Sequence, residues 1–232
     1  PSKQPLRPDM ARVLRRLLES KKIAIIGGGS FKQFRGQFLG SFLAPKKLLK
    51  NLFLFPTNST VFFRYQNGWK LVYEHRLKTK EIRQIRRAFS SVFKEVGYKH
   101  PKKIYGPVIE NRGTQVSFSA LGQKAPLNLK KKWNKRQDIR LIIIRRLKKH
   151  LPKFEIRRGG LTTIDITREG IDKAYGVRQI KKHLRVPFSK ILFVGDAIYP
   201  GGNDYEVIKT GVDYVRVSGP EETEKIIRKL SS

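Results

Sequence analysis

The chain has 232 residues, with 51 Lys and Arg against 18 Asp and Glu, a formal net charge of +33. Its 39% hydrophobic residues are enough for a core, so it is not a disordered chain, and no apolar run approaches the roughly 20 residues that cross a bilayer. Cysteine is absent, which excludes disulfides and thiolate metal sites and is compatible with a reducing, cytoplasmic setting. A field this positive suits polyanions, whether nucleic acid, an anionic surface or a phosphorylated substrate. The basic clusters Lys130-Lys131-Lys132, Lys135-Arg136 and Arg145-Arg146-Leu147-Lys148-Lys149 read equally well as a solvated cationic surface.

In chain order, Asp9 is placed to cap a helix to about Ser20, with Met10, Val13, Leu14, Leu17 and Leu18 on one face. Lys22 to Ile26 reads as a short apolar strand that runs into Gly27-Gly28-Gly29-Ser30. An amphipathic helix through Phe31, Phe34, Phe38 and Leu39 follows, completing a strand–glycine turn–helix unit. Leu52 to Phe55 is the next strand, and Val61 to Tyr65 and Trp69 to Tyr73 flank a Gln66-Asn67-Gly68 hairpin turn. Lys80 to Val96 has helical spacing. Thr114 to Leu121 alternates apolar with polar residues and predicts a half-buried strand. A helix over Arg136 to His150 and strands over Lys153 to Arg157 and Leu161 to Ile166 come next. The last third reads as helices at Asp172 to Leu184, Asn203 to Lys209 and Glu221 to Leu230, with strands at Ile191 to Val194 and Tyr214 to Val217. Strand–helix units at both ends around a mixed middle predict an α/β protein. Its Rossmann-like parallel-sheet core would carry an inserted α+β module, with residues 1–75 and 167–232 as core and 76–166 as insert.

The richest chemistry lies in Gly195-Asp196 followed by Pro200-Gly201-Gly202-Asn203-Asp204. An apolar strand ends there in carboxylates beside a glycine turn. Open α/β sheets place their ligand sites at that end of the strands, and the residue types suit magnesium and the phosphate it carries. Gly27, Gly28 and Gly29 offer backbone N–H groups to an anion at a helix start. The four histidines, His75, His100, His150 and His183, do not cluster at metal-ligand spacing.

Gly195-Asp196 with Pro200 to Asp204, the run Gly159 to Asp165 leading into Glu169-Gly170-Ile171-Asp172-Lys173, the strand Asn111 to Ser117 and the helix start Ser218 to Thr223 together carry a family likeness. The chain resembles the haloacid dehalogenase superfamily, in its branch of phosphomannomutases and sugar-phosphate phosphatases with a C2-type cap. The resemblance implies a magnesium-dependent phosphoryl-transfer enzyme acting on a small phosphorylated sugar. Asp196 would bind Mg2+, with Asn203 and Asp204 completing or orienting the shell. Lys173 would set a positive charge beside the phosphoryl oxygens. From the cap, Asn111 and Arg112 would hold the distal phosphate or sugar hydroxyls, and Thr163 and Asp165 would hydrogen-bond the sugar. Cap-mediated homodimers would also be consistent with it.

Three departures from the family pattern shape the expectation. No Asp-x-Asp-Gly-Thr segment, which supplies the family's attacking carboxylate and its acid/base, occurs in residues 1–232. The chain starts at Pro1-Ser2-Lys3, which reads as an N-terminally incomplete copy lacking the first core strand. Gly27 stands where Ser or Thr is usual, and Gln123 follows Gly122 where mutases usually carry Arg, which leans toward a phosphatase. An alternative from another class is a non-catalytic relative whose basic surface binds RNA or another polyanion, with a steep salt dependence as its signature. Deliberate supercharging of an enzyme surface would give the same composition.

Overall fold

The computed structural model describes residues 5–134 and 137–231; Lys135 and Arg136 of the basic clusters, and the Pro1-Ser2-Lys3 start, lie outside the described residues. The chain divides into two compact units: Pro1–Glu74 with Asp172–Ser232, here the core unit, and His75–Ile171, the inserted unit.

The core unit opens with α1 (Pro8–Ser20). Pro8 occupies a first-turn position where its missing N–H costs nothing, and Asp9 lies beside the positive end of the helix. The residue flanking the helix is therefore Arg7 rather than Asp9, because proline's fixed φ starts the helix two residues earlier. Met10, Val13 and Leu17 pack on Ile227, while Ala11 and Leu18 join Phe34, Phe42, Leu52 and Leu54. β1 (Ile23–Ile26) leads through α2 (Phe31–Phe34), a π-helical turn (Arg35–Leu39) and α3 (Lys46–Leu49) to β2 (Leu52–Phe55). β1 and β2 pair in parallel, from Ile23 opposite Leu52 to Ile26 opposite Phe55. β3 (Val61–Tyr65) and β4 (Trp69–Glu74) extend the sheet antiparallel, in the order β1-β2-β3-β4. Asn67 and Gly68 take positive φ values of 50° and 132° in the hairpin, the conformation an Asn-Gly pair tolerates best.

The inserted unit carries α4 (Thr79–Glu95), β5 (Ile109–Asn111), β6 (Val116–Ser119), α5 (Leu127–Asn134), α6 (Gln137–His150), β7 (Phe154–Arg158) and β8 (Thr163–Arg168). Its antiparallel sheet runs β5-β6-β8-β7. Val116, Phe118, Ile156, Ile164 and Ile166 form one face and pack on Ile85, Phe89, Val92, Ile143 and Leu147 of the helices. The alternation of β6 predicts a half-buried strand, yet all four of its residues are buried. Ser117 and Ser119 stay inside because their hydroxyls meet Asp165 and Thr162, at 2.7 and 3.3 Å. α5 has no sequence counterpart above, since a short Lys-rich segment shows no apolar periodicity.

The chain returns to the core unit with α7 (Lys173–Leu184), β9 (Leu192–Gly195), β10 (Asp213–Arg216) and α8 (Pro220–Leu230). The helix expected from Asn203 is a 3-10 helix, Tyr205–Thr210, stopped by Gly211 at φ 75°. β9 and β10 pair in parallel as a separate two-stranded sheet, and among the described residues no ladder joins β9 to β1. One helix serves both sheets. Val177 and Ile180 of α7 pack with Ala24 and Ile26 of β1, with Ile191 just before β9, and with Phe193 within it. Among the described residues no helix is long and apolar enough to cross a membrane.

Within the inserted unit, Arg168 donates to Glu81 from Nε and Nη2 at 3.2 and 2.9 Å. This hydrogen bonding, ahead of the smaller opposing effect of burial, holds the Glu81 carboxyl below its ordinary 4.5. A depressed carboxylate pKa stabilises the fold in full above the unfolded value, and the contribution is lost as pH falls through the folded one. Thermal melts should therefore show a decline in Tm below pH 4.5 that is smaller for Glu81→Gln; equal declines would remove this pair from the account.

Candidate active site

At the carboxyl ends of β1 and β2 two turns interlock. The Gly27–Gly29 turn follows β1, and Ser30 then caps α2 through a reciprocal pair of bonds with Gln33, at 2.8 and 3.4 Å. The Pro56-Thr57-Asn58-Ser59-Thr60 turn follows β2. Thr57 N–H donates to Gly29 O at 2.8 Å, and Asn58 N–H to Gly27 O at 2.9 Å. Thr57, Asn58 and Ser59 hold positive φ values of 48°, 55° and 73°, and all three are buried. Such positions cost roughly 1–3 kcal/mol each and persist where the surroundings over-determine them. Here the bonds to the glycine turn and the Thr57–Thr60 hydroxyl contact (2.5 Å) do so. Sequence reasoning did not single this turn out; its signal is a run of hydroxyl and amide side chains directly after an apolar strand.

α7 brings the cation. Asp172 caps it by accepting from Tyr175 N–H at 2.7 Å, which starts the helix at Lys173. One turn on, Gly176 faces Ser59 and Ile26 so closely that a Cβ there would overlap the Ser59 hydroxyl. That contact seats the first turn of α7 at the strand ends. Lys173 Nζ makes an ion pair with Asp204 Oδ1, the carboxylate being almost fully buried.

The turn after β9 is closed on itself. Asp204 Oδ2 accepts from Ala197 N–H at 3.1 Å, and Asp204 N–H donates to Ala197 O at 3.3 Å. Gly202 passes against Ala197 O where a Cβ would overlap it, and Gly201 takes φ 79°. Asp204 also lies against Gly195, where a Cβ would come within 2.7 Å of Oδ2. Asp204 thus partners Lys173 and the backbone, whereas Asp196 is exposed and Asn203 half-buried. Magnesium is commonly held by one or two carboxylates, with waters and substrate phosphate filling the other positions. An exposed carboxylate at Asp196 is compatible with that chemistry, and Asp204 holds the turn and pairs with Lys173. Among the described residues, no group of three His, Cys, Asp or Glu forms a metal cluster.

In the inserted unit the predicted residues fall in two places. Arg112 donates to Glu110 from Nε and Nη2 (2.9 and 2.7 Å) and reaches Gln123 Oε1 at 3.3 Å, with its side chain only 5% exposed. Asn111 Oδ1 accepts from Gly113 N–H at 2.9 Å and shapes the turn beyond β5. On β8, Asp165 lies opposite Ser117 and Thr163 opposite Ser119. Gln115 Nε2 donates to Ser117 Oγ at 2.8 Å, and Ser117 in turn donates to Asp165 at 2.7 Å. This polar row lines the sheet face opposite the apolar core. Gln115, Ser117 and Glu110 were not singled out by sequence, because their partners become visible only once register is known.

The model of the eukaryotic phosphomannomutase family matches residues 10–232. The chain belongs to that family. Among its phosphomannomutase relatives are that of Drosophila melanogaster, 25% identical over 90% of this chain and 81% of the relative, and phosphomannomutase 1 of Homo sapiens, 27% identical over 89% and 78%. The fold is that of the haloacid dehalogenase superfamily. A Plasmodium falciparum IMP-nucleotidase structure superposes with a TM-score of 0.70 at 16% identity, covering 99% of this chain, which spans 64% of that protein. The trehalose-6-phosphate phosphatase C-terminal domain of C. albicans gives 0.60 at 12% identity, over 98% of this chain and 84% of that domain. Placed in this phosphomannomutase family, Lys173, Asp196 and Asp204 gather at one end of the core unit, and Arg112, Thr163 and Asp165 lie in the inserted unit.

The seating of α7 is testable. Gly176→Ala should cost about 1–3 kcal/mol by overpacking against Ser59, measured by urea unfolding, and Ser59→Ala in the same chain should recover part of the loss. A neutral Gly176→Ala would show that the close approach does not position Lys173.

Proposed function

We propose that this chain is the phosphate- and cation-positioning part of a magnesium-dependent enzyme that transfers a phosphoryl group of a small sugar phosphate. The observation that supports the reading is the ion pair of Lys173 with buried Asp204, in the turn after β9 that also carries exposed Asp196. Negative charge spreads over the phosphoryl oxygens during transfer, so fixed cations and N–H donors provide most of the assistance. Lys173 would supply one positive charge. Gly27, Gly28 and Gly29 form the turn at the strand end; the Gly27 N–H is donated to Phe55 O at 3.1 Å, so any contact to an anion would come from Gly28 and Gly29. Asp196, with Asn203, would hold the magnesium ion, whose contribution when bound is to neutralise phosphoryl charge.

The polar row of the inserted unit supports the substrate class. Asp165 and Thr163 suit sugar hydroxyls, and Arg112 presents a guanidinium of the geometry that grips phosphate. Its present partners, Glu110 and Gln123, hold that guanidinium flat and oriented. Gln123 takes the place of a second cation, which favours a phosphatase over a mutase that must hold phosphates at both ends of the sugar.

Because residues 1–232 contain no Asp-x-Asp-Gly-Thr segment, the reading is tested on a chain carrying such a strand ahead of residue 1. Screened against hexose phosphates with magnesium, it should release phosphate, and Asp196→Asn should lower the rate by roughly 100-fold or more. Turnover unchanged by Asp196→Asn would remove the cation assignment, and no turnover on any sugar phosphate would remove the substrate class.

A further inference from the structure

The helix layer of the inserted unit turns one side to the apolar face of its sheet and the other to solvent. Ile85, Phe89 and Val92 of α4 and Ile143 and Leu147 of α6 are buried in that core. The remaining sides expose Lys80, Arg83 and Arg87 on α4, and Arg145, Lys148 and Lys149 on α6. His150 at the end of α6 contacts Glu95 at the end of α4 at 2.6 Å, so the two helices finish side by side. The 17 residues of α4 make the layer about 25 Å long, and two packed helices make it roughly 20 Å wide.

The positive charge of this face is uncompensated. Glu81 and Glu95, the two carboxylates of α4, are taken up by Arg168 and His150. From Ile139 to His150, α6 contains no Asp or Glu. Among the described residues, none of the six exposed cations has a side-chain hydrogen bond or ion pair. Lys80, Arg83, Gln84 and Arg87 line an open cleft of about 410 Å³. Like charges this close repel one another and would repel a second copy of the same face, whereas a row of anions relieves the repulsion.

We propose that this face binds the phosphate backbone of an RNA duplex. Arginine meets phosphate with two parallel bonds, and three of the six cations are Arg. A single strand is held by bases stacked on aromatic rings, but Phe89 is buried and Phe93 packs against the core. An anionic bilayer calls for apolar side chains along the face. α4 exposes only charged and polar ones, and Leu141 and Ile142 of α6 are the exceptions in the layer. A layer roughly 20 Å wide cannot enter the B-DNA major groove, about 12 Å across. It can lie over the wide, shallow minor groove of an RNA duplex, where Gln84 and Ser91, exposed between the cations of α4, would meet 2′-hydroxyls. The inference goes beyond the catalytic reading and does not depend on it.

The probe is a fluorescein-labelled RNA duplex of about 20 base pairs, titrated against residues 1–232 by anisotropy. Between about 50 and 200 mM salt, log affinity should fall against log salt with a slope of about −5, as six phosphate contacts require. Replacing Arg83, Arg87, Arg145 and Lys149 together by Gln should weaken binding at least tenfold and flatten the slope by about 4, with Tm unchanged. The same charge removed from the core unit, by Gln at exposed Lys21, Lys22, Lys46 and Lys47, should change affinity less than threefold. Equal losses in the two variants would reduce the effect to the overall charge and overturn the assignment to this face. Equal affinity for a DNA duplex, for poly-glutamate or for phosphatidylserine vesicles would overturn the choice of RNA, and no binding at about 150 mM salt would overturn the proposal outright.

Discussion

Two sheets in the core unit share no ladder among the described residues, and α7 packs against both. Everything else in that unit depends on this arrangement. Burying Val177 and Ile180 against both strand sets is worth roughly 1.5–3 kcal/mol per side chain relative to exposure. That is large beside the net stability of a domain, about 5–15 kcal/mol. The small residue Gly176 lets the helix approach Ser59 and Ile26, and the approach fixes where its first residue, Lys173, must lie.

The site follows from that seat. A lysine at a helix N-terminus stands at the unfavourable end of the helix dipole, where a carboxylate would be preferred. Asp204, buried and held by the Ala197 N–H, answers that cost with a paired charge. Breaking a buried pair of this kind leaves an uncompensated charge, so the pair holds its two turns together even where its net contribution to stability is small. The same logic recurs in the inserted unit, where Glu110 neutralises Arg112 and Ser117 satisfies Asp165. Both units keep their charged groups oriented by partners of opposite character.

Much of this was legible in the sequence. Short apolar runs ending in glycine marked β1 and β9 and the turns after them, and helical spacing marked α1, α4 and α7. Other features depend on contacts distant in sequence. Sequence offers Asp204 as a cation ligand but does not show its pairing with Lys173, which is made across 31 residues. Alternation in β6 cannot tell a solvent-facing serine from one bonded to Asp165 on another strand. Thr57, Asn58 and Ser59 look like an ordinary loop, because the strain they hold is imposed by the Gly27–Gly29 turn.

The central claim is that α7 couples both sheets of the core unit. Native-state hydrogen exchange on Val177→Ala tests it most directly, because that side chain is fully buried among Ile26, Phe193, Val207 and Val212. The account predicts matching losses of protection at Ile25 and Phe55 in the first sheet and at Phe193 and Val215 in the second, with β6 of the inserted unit unchanged. Loss confined to one of the two sheets would contradict it.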